Sequence, residues 1–311
     1  MARCFVTREL PGLALGRLVA AHETTVWPEH RPPTYDELTE RVEGVEALLC
    51  MLTDRIDAEL IERARDLRVI SNYAVGYDNV DVAAAAARGI PVGNTPDVLT
   101  DATADLTFAL LLAAARKLPQ EAAAVRTGNW RPWEPGENLG ADVHGATLGV
   151  IGFGRIGQAV ARRAEGFEMQ VLHTDSGSDE ADLDALLGAS DFVSLHTPLT
   201  PETRRLVDAA FLAKMKPSAY LINTARGGLV DQRALAQALG DGTIAGAALD
   251  VTDPEPLPPE DPLLAAPNLI VVPHIGSATR ITRERMADLA VDNLLAGLDG
   301  LPLPHQVPVP A

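Results

Sequence analysis

Apolar residues in this chain come in short runs, separated by stretches in which apolar positions recur every three or four residues. Over the first hundred residues the runs are A-R-C-F-V-T, V-E-A-L-L-C, L-R-V-I-S-N and I-P-V-G-N, with helical segments at 57–65 and 80–88 between them. Short β-rich runs alternating with helical pieces predict a parallel sheet with helical crossovers, hence a small α/β domain. Thr100 is then placed to cap a helix over 101–118, in which Ala102, Leu106, Ala109, Leu110 and Ala113 share a face, and that helix reads as a link between two domains. The following T-G-N-W-R-P-W-E-P-G-E-N-L-G lacks periodicity and reads as a loop; Trp130 and Trp133 in it mark a contact surface or cover a domain junction. From Ala146 the alternation restarts. T-L-G-V-I, M-Q-V-L-H, D-F-V-S-L, A-Y-L-I-N, A-G-A-A-L and L-I-V-V predict about six strands of a larger doubly wound sheet. An amphipathic helix over 283–298 closes the pattern before a proline-rich tail, and it is expected to pack back on the first domain.

Length and charge narrow the function. A chain of 311 residues has room for two domains with sizeable cores. Its net charge of −17 argues against a sequence-independent grip on nucleic acid or on an anionic membrane, both of which need a basic face. A negatively charged small substrate must then be drawn in by local positive groups. Cys4 and Cys50 are too few for a disulfide framework and wrongly spaced for a metal knuckle, so structural thiols in a reducing cytoplasm are expected, with no metal. The first eight residues, M-A-R-C-F-V-T-R, hold no secretory apolar core, and the longest uncharged apolar block, 108–115, is too short to span a bilayer.

Gly152-Phe153-Gly154-Arg155-Ile156-Gly157 follows the run T-L-G-V-I and precedes the helical Q-A-V-A-R-R-A. In this strand-turn-helix setting the glycines predict a tight turn that brings backbone close to a pyrophosphate, at a helix amino terminus whose N–H groups and dipole attract phosphate. Asp175 ends the next run, where a carboxylate takes both ribose hydroxyls of NAD and repels a 2′-phosphate. Ser176, Gly177 and Ser178 supply no arginine for that phosphate, so NAD(H) is favoured over NADP(H). Arg226, Glu255 and His274 stand after later strands, at the edge where open α/β sheets bind ligands. Together they suit reduction of a 2-keto acid. A guanidinium fixes the carboxylate and polarises the ketone, an imidazole delivers a proton to the developing alkoxide, and Glu255 orients that imidazole and favours its protonated form.

These residues lie in motifs that, taken together, resemble the D-isomer-specific 2-hydroxyacid dehydrogenase family, and within it the glyoxylate/hydroxypyruvate reductases. The motifs are N-Y-A-V-G-Y-D-N-V-D from Asn72, V-L-T-D-A-T-A-D-L from Val98, G-F-G-R-I-G from Gly152, H-T-P-L-T from His196, N-T-A-R-G-G from Asn223, D-x-x-x-x-E-P from Asp250 and P-H-I-G-S-A-T from Pro273. The resemblance implies Arg226, Glu255 and His274 as the catalytic set, and Asp250, with Thr224 and Ala225, on the cofactor side. It implies the backbone N–H groups of Val75 and Gly76, with Ser277 nearby, around the substrate carboxylate. It further implies two Rossmann-like or flavodoxin-like doubly wound parallel-sheet domains with a cleft between them: a substrate-binding domain of 1–98 and 284–311, and a dinucleotide-binding domain of 99–283. A homodimer is also implied, with the loop near Trp133 a candidate for reaching a neighbour's site. Basic residues that accompany NADPH use in animal glyoxylate reductases are missing after the second strand, so their cofactor choice is not carried over. Three other readings compete. A phosphoglycerate dehydrogenase is disfavoured by the short stretch after the closing helix, and a phosphite dehydrogenase by Val75 where a lysine is usual. A nucleotide-sensing corepressor scaffold would carry a peptide-binding cleft and long disordered tails, and the sequence suggests neither.

Overall fold

The computed structural model describes residues 1–175 and 177–309; Ser176, part of the expected cofactor-selecting segment, lies outside them. The chain divides into two compact units, Met1–Leu99 together with the segment from Ala278, and Thr100–Ser277. Each is a doubly wound parallel α/β sheet, the fold class expected from the alternating pattern.

The first unit holds β1 (Arg3–Val6), β2 (Glu23–Val26), β3 (Ala47–Cys50), β4 (Val69–Asn72) and β5 (Val92–Gly93), all parallel and in the order β2-β1-β3-β4-β5 among the described residues. Both faces are covered, which is why the inner strands read as continuous apolar runs. Phe5, Leu48, Cys50 and Ile70 enter one core, while Cys4, Val6, Leu49 and Val69 enter the other. The sequence pattern missed β2. Its E-T-T-V pairs only with β1 at the sheet edge and is half exposed, so no apolar run marks it.

The second core is closed by the helix Arg280–Leu298, which supplies Ala287, Ala290, Val291, Leu294 and Leu298. It starts at Arg280 rather than 283 because the Thr279 hydroxyl accepts the Thr282 N–H at 3.2 Å. One of its fully buried residues is polar. The Asn293 amide donates to the Asn94 carbonyl at 3.0 Å and accepts the His305 N–H at 3.0 Å, and a Cβ at Gly93 would stand 2.6 Å from it.

The second unit contains β6 (Thr147–Ile151), β7 (Gln170–Thr174), β8 (Phe192–Leu195), β9 (Tyr220–Asn223), β10 (Gly246–Leu249) and β11 (Leu269–Val271), parallel throughout, in the order β11-β10-β9-β8-β6-β7. Phe192, Tyr220 and Ile222 pack with Phe108 and Leu111 on one face; Val193, Leu195, Leu221 and Leu249 form the other core. The helix expected to link two domains, Thr100–Ala115, belongs wholly to this unit, and Thr100 is its first residue rather than its cap. A second helix, Leu118–Arg126, buries none of its residues, and Trp130 and Trp133 beyond it are 79% and 85% exposed.

Cys4 and Cys50 are free and buried; burial pushes the first thiol up to about 11 and the second well above its usual range, so both stay protonated and inert. Among the described residues no helix is long and apolar enough to cross a membrane, and no cluster of three His, Cys, Asp or Glu is placed to hold a metal.

The closing helix supplies a test of its own packing. Gly→Ala inside a helix ordinarily stabilises by up to about 1 kcal/mol. At Gly297, however, a Cβ would sit 2.6 Å from Val69 Cγ2 and 2.7 Å from Val69 Cβ, so Gly297→Ala is expected to destabilise instead, by roughly 1–3 kcal/mol of overpacking. A raised denaturation midpoint would show that the helix does not lie that close to β4.

Candidate active site

The glycine run occupies the turn between β6 and the helix Arg155–Glu165. Gly152 has φ +91°, and a Cβ there would lie 2.6 Å from the His196 carbonyl carbon and the Thr197 nitrogen, so both conformation and crowding require glycine. Gly157 is equally constrained, since its Cβ would meet the Gly152 carbonyl oxygen at 2.3 Å and hold the helix off the strand. Gly154 differs: a Cβ on it would meet nothing within 4 Å, so the backbone there borders open space. Gly154 is also the helix N-cap and has no side chain to cap with, and among the described residues no acceptor takes the first-turn N–H groups of Ile156 and Gly157. This is the cradle a dinucleotide pyrophosphate needs, and the residues fit it.

Two features lie beside the cradle at the end of β7. Asp175 follows β7 and is exposed; its Oδ1 accepts the Gly177 N–H at 2.9 Å, and its own N–H donates to Ser178 Oγ at 3.1 Å. The carboxylate is thereby held at the tip of the strand. Behind it, the rings of Phe153 and His173 stack at 3.8 Å between centroids, joining the glycine turn to β7.

Arg226 follows β9 in a turn organised by Asn223. That side chain accepts the Ala225 N–H at 3.0 Å and donates to the Arg226 carbonyl at 2.8 Å, while Arg226 Nη1 donates to the Ala225 carbonyl at 2.9 Å. Thr224 is anchored by its hydroxyl, 2.9 Å from that of Thr107. The next residue, Gly227, approaches Thr252 so closely that a Cβ would lie 2.0 Å from the Thr252 carbonyl. Thr252 in turn donates its N–H to Glu255 Oε1 at 2.9 Å, so the arginine turn and the glutamate loop are packed together.

The other oxygen of that glutamate reaches the histidine. His274 Nδ1 and Glu255 Oε2 are 2.8 Å apart, both side chains about a quarter exposed. An ionised carboxylate only accepts, so Nδ1 carries the proton and Nε2 is the nitrogen left for chemistry; among the described residues Nε2 has no partner. His274 itself has φ +51°, in the left-handed region. Asp250 holds it there. The Asp250 carbonyl accepts the His274 N–H at 2.8 Å, and its carboxylate accepts the Ile275 and Gly276 N–H groups at 2.6 and 2.8 Å. Burial pushes the Asp250 carboxyl up from its usual range, partly offset by those N–H groups and by His274. Its role in the loop was not legible from sequence, which suggested only proximity to a cofactor.

Arg226, Glu255 and His274 thus follow β9, β10 and β11, adjacent strands of one sheet, and the latter two touch. Ser277, half-buried, ends the same unit. Val75 and Gly76 belong to the other unit, in the turn after β4, and both are half-buried. The asparagines that shape their turn, Asn72 and Asn94, escaped the sequence reading, because their partners are carbonyls whose identity emerges only from the folded turn.

Comparison with known proteins gives this arrangement a context. Residues 108–276 match the family described as D-isomer specific 2-hydroxyacid dehydrogenase, NAD binding domain. The chain is 50% identical over 305 residues to a glyoxylate reductase of Korarchaeum cryptofilum, covering 94% of this chain and 92% of that protein. The crystal structure of the TT0316 protein from Thermus thermophilus superposes with a TM-score of 0.92 at 53% identity, covering 98% of this chain and all of the other. The NADPH-dependent glyoxylate/hydroxypyruvate reductase of Sinorhizobium meliloti, solved with NADP and malonate, is similar at a TM-score of 0.86 and 36% identity, over 98% of this chain and 96% of that one. With motif, fold and likeness extending over nearly its whole length, this chain belongs to the D-isomer specific 2-hydroxyacid dehydrogenase family.

Proposed function

We propose that the chain reduces a small 2-keto acid, glyoxylate or hydroxypyruvate, to the 2-hydroxy acid, of D configuration where the product is chiral, with NADH as the preferred reductant. The observation that carries this reading is the 2.8 Å contact between His274 Nδ1 and Glu255 Oε2 in the sheet that also bears the glycine cradle. The names of the relatives support the substrate class.

Each residue has a task in that reaction. The peptide N–H groups of Val75 and Gly76 receive the substrate carboxylate, with Ser277 beside it. The Arg226 guanidinium binds the carboxylate and the ketone oxygen, drawing electron density from the carbonyl carbon. His274 Nε2–H donates to the same oxygen and gives up its proton as the alkoxide forms. Glu255 stabilises the imidazolium before that transfer and keeps the proton on Nδ1 of the neutral imidazole left after it. Arg155, Ile156 and Gly157 would hold the pyrophosphate, with Gly152 and Gly154 shaping the turn. Asp175 would hold the adenosine ribose, and Thr224, Ala225 and Asp250 would lie along the nicotinamide side. When bound, the nicotinamide supplies the hydride.

Asp175 is the reason to favour NADH although the Sinorhizobium relative is NADPH-dependent: a carboxylate accepts from two hydroxyls and repels a 2′-phosphate. A homodimer is supported by the uncovered helix Leu118–Arg126 with Trp130 and Trp133, apolar surface that a second copy would shield; the loop near Trp133 is a candidate to reach the partner's site. Two free buried thiols suit a reducing cytoplasm.

The direct test is NADH oxidation with glyoxylate and with hydroxypyruvate. Turnover of neither, nor of any other 2-keto acid, would overturn the enzyme reading in favour of a nucleotide-sensing scaffold. His274→Ala is expected to slow the chemical step roughly 10²–10⁴-fold while NADH still binds; normal single-turnover rates would remove His274 as the acid. Replacing Asp175 with Ser and Ser176 with Arg should shift the ratio of kcat/KM for NADH and NADPH toward NADPH. An unmoved ratio would mean that Asp175 does not face the ribose.

A further inference from the structure

In the turn after β4 three successive carbonyls are tied into the first unit. The Ala74 carbonyl accepts the Thr95 N–H at 2.9 Å, the Val75 carbonyl accepts from Asn94 Nδ2 at 2.8 Å, and the Gly76 carbonyl accepts from Asn72 Nδ2 at 2.8 Å. A trans peptide is planar, so its C=O and N–H point in opposite directions. Fixing these three carbonyls therefore turns each of the N–H groups of Val75, Gly76 and Tyr77 away from the group that holds its own peptide's carbonyl. Among the described residues none accepts from those three N–H groups. Consecutive N–H groups aimed one way form a concavity that binds an anion.

The two asparagines are themselves held. Asn94 donates its N–H to the His305 carbonyl at 3.1 Å and receives Asn293 Nδ2 on its carbonyl at 3.0 Å. Asn72 is fully buried; its Nδ2 also reaches Asn79 Oδ1 at 3.1 Å, and Asn79 Nδ2 is bound by the Met51 and Asp54 carbonyls, each at 3.0 Å. The Asn72 amide is oriented by its further bonds with Asn79, while the Asn94 backbone is anchored through both its N–H and its carbonyl, which fixes where its side chain starts.

We propose that Asn94 and Asn72 are positioning residues for substrate binding: Asn94, by holding the Val75 carbonyl, presets the Gly76 N–H, and Asn72, by holding the Gly76 carbonyl, presets the Tyr77 N–H beside it, so that the turn stands ready as the receptor for the keto acid carboxylate. This rests on the reading that Val75 and Gly76 receive that carboxylate. Neither asparagine needs to touch substrate. Their effect is confined to compounds that carry the carboxylate, and it acts on binding rather than on the chemical step.

The experiment uses the full chain with NADH, and compares glyoxylate with its uncharged methyl ester. Asn94→Asp keeps the shape and the backbone bonds of Asn94 but loses the donor when ionised. At about pH 8 it should raise KM for glyoxylate roughly tenfold to hundredfold, the range for a lost hydrogen bond to a charged group, with kcat and NADH binding little changed. Kinetics on the ester should match the parent enzyme. At about pH 5 the new carboxyl begins to take up a proton and can donate again, so the ratio of variant to parent KM should shrink. Asn94→Ala should show the same glyoxylate defect without relief at low pH. If the parent enzyme strongly prefers glyoxylate to the ester while the variants keep its KM, the turn binds carboxylate without help from Asn94 and the proposal fails alone. A variant KM raised equally for both compounds also overturns it, since that marks general damage. If the parent enzyme does not distinguish the two compounds, the carboxylate reading of Val75 and Gly76 falls, and this inference with it.

Discussion

One buried carboxylate sets the geometry of the reacting edge. Asp250 follows β10 with 1% of its surface exposed, and both of its oxygens are spent on the N–H groups of Ile275 and Gly276, just beyond the histidine. A left-handed backbone costs an ordinary residue roughly 1–2 kcal/mol, and His274 adopts it at φ +51°. Three bonds from a single residue, two of them to a charged group, are enough to hold it there. The consequence is directional. With the backbone fixed by Asp250 and Nδ1 fixed by Glu255, the imidazole has little freedom left, and Nε2 is the ring nitrogen left without a partner among the described residues. Gly276 belongs to the same constraint, because a Cβ there would crowd Asp250 Oδ2 at 3.1 Å.

The two sheets repeat one plan with different ends. Counted within each unit, both run second, first, third, fourth, fifth strand, so each has its switch point between the first and third strands. In the second unit that point holds the glycine turn, with the His196–Thr197 backbone packed against Gly152. The first unit has no glycine turn there. Arg8 follows its first strand and lies 3.9 Å from Asp54, which follows the third, and the Thr7 hydroxyl donates to Asp54. The turn proposed to receive the substrate carboxylate sits instead after the fourth strand, where the residues around Val75 are held by asparagines. A shared topology thus specifies where loops gather, while the residues in each loop decide what they can bind.

Residues whose work depends on local sequence were the legible ones. The glycine run declares itself because strand, turn and helix are contiguous, and the Val272–Arg280 segment because a histidine between proline and glycine at a strand end has few structural uses. The family resemblance then supplied roles that spacing could not. What escaped has a common cause: the deciding contacts are distant in sequence. For Asp250 the resemblance implied a place on the cofactor side, while its hold on the histidine loop stayed hidden because its bonds to Ile275 and Gly276 span 25 and 26 residues. Asn94 works on a carbonyl 19 residues earlier, and is itself held by a helix residue 199 positions later. β2 was invisible for the opposite reason, since an edge strand exposed on one side needs no apolar run.

The choice of backbone N–H groups as anion receptors also fits the chain's charge. With a net charge of −17, an exposed arginine is readily claimed by a neighbouring carboxylate: Arg31 by Glu37, Arg163 by Asp101 and Asp105, Arg204 by Asp253. Distant carboxylates matter less to a bound anion, because salt screens them beyond about 8–10 Å. Competition at contact is the real difficulty, and a peptide N–H in a constrained turn does not face it. Its direction is fixed by where its own carbonyl is bound, and a carboxylate of the chain can reach it only if the fold brings one there. At the helix start after Gly154 and in the turn after β4, no acceptor among the described residues takes those N–H groups. Main-chain polarity of this kind would let an acidic protein offer an acidic ligand a receptor beside its cations, for which its own carboxylates compete.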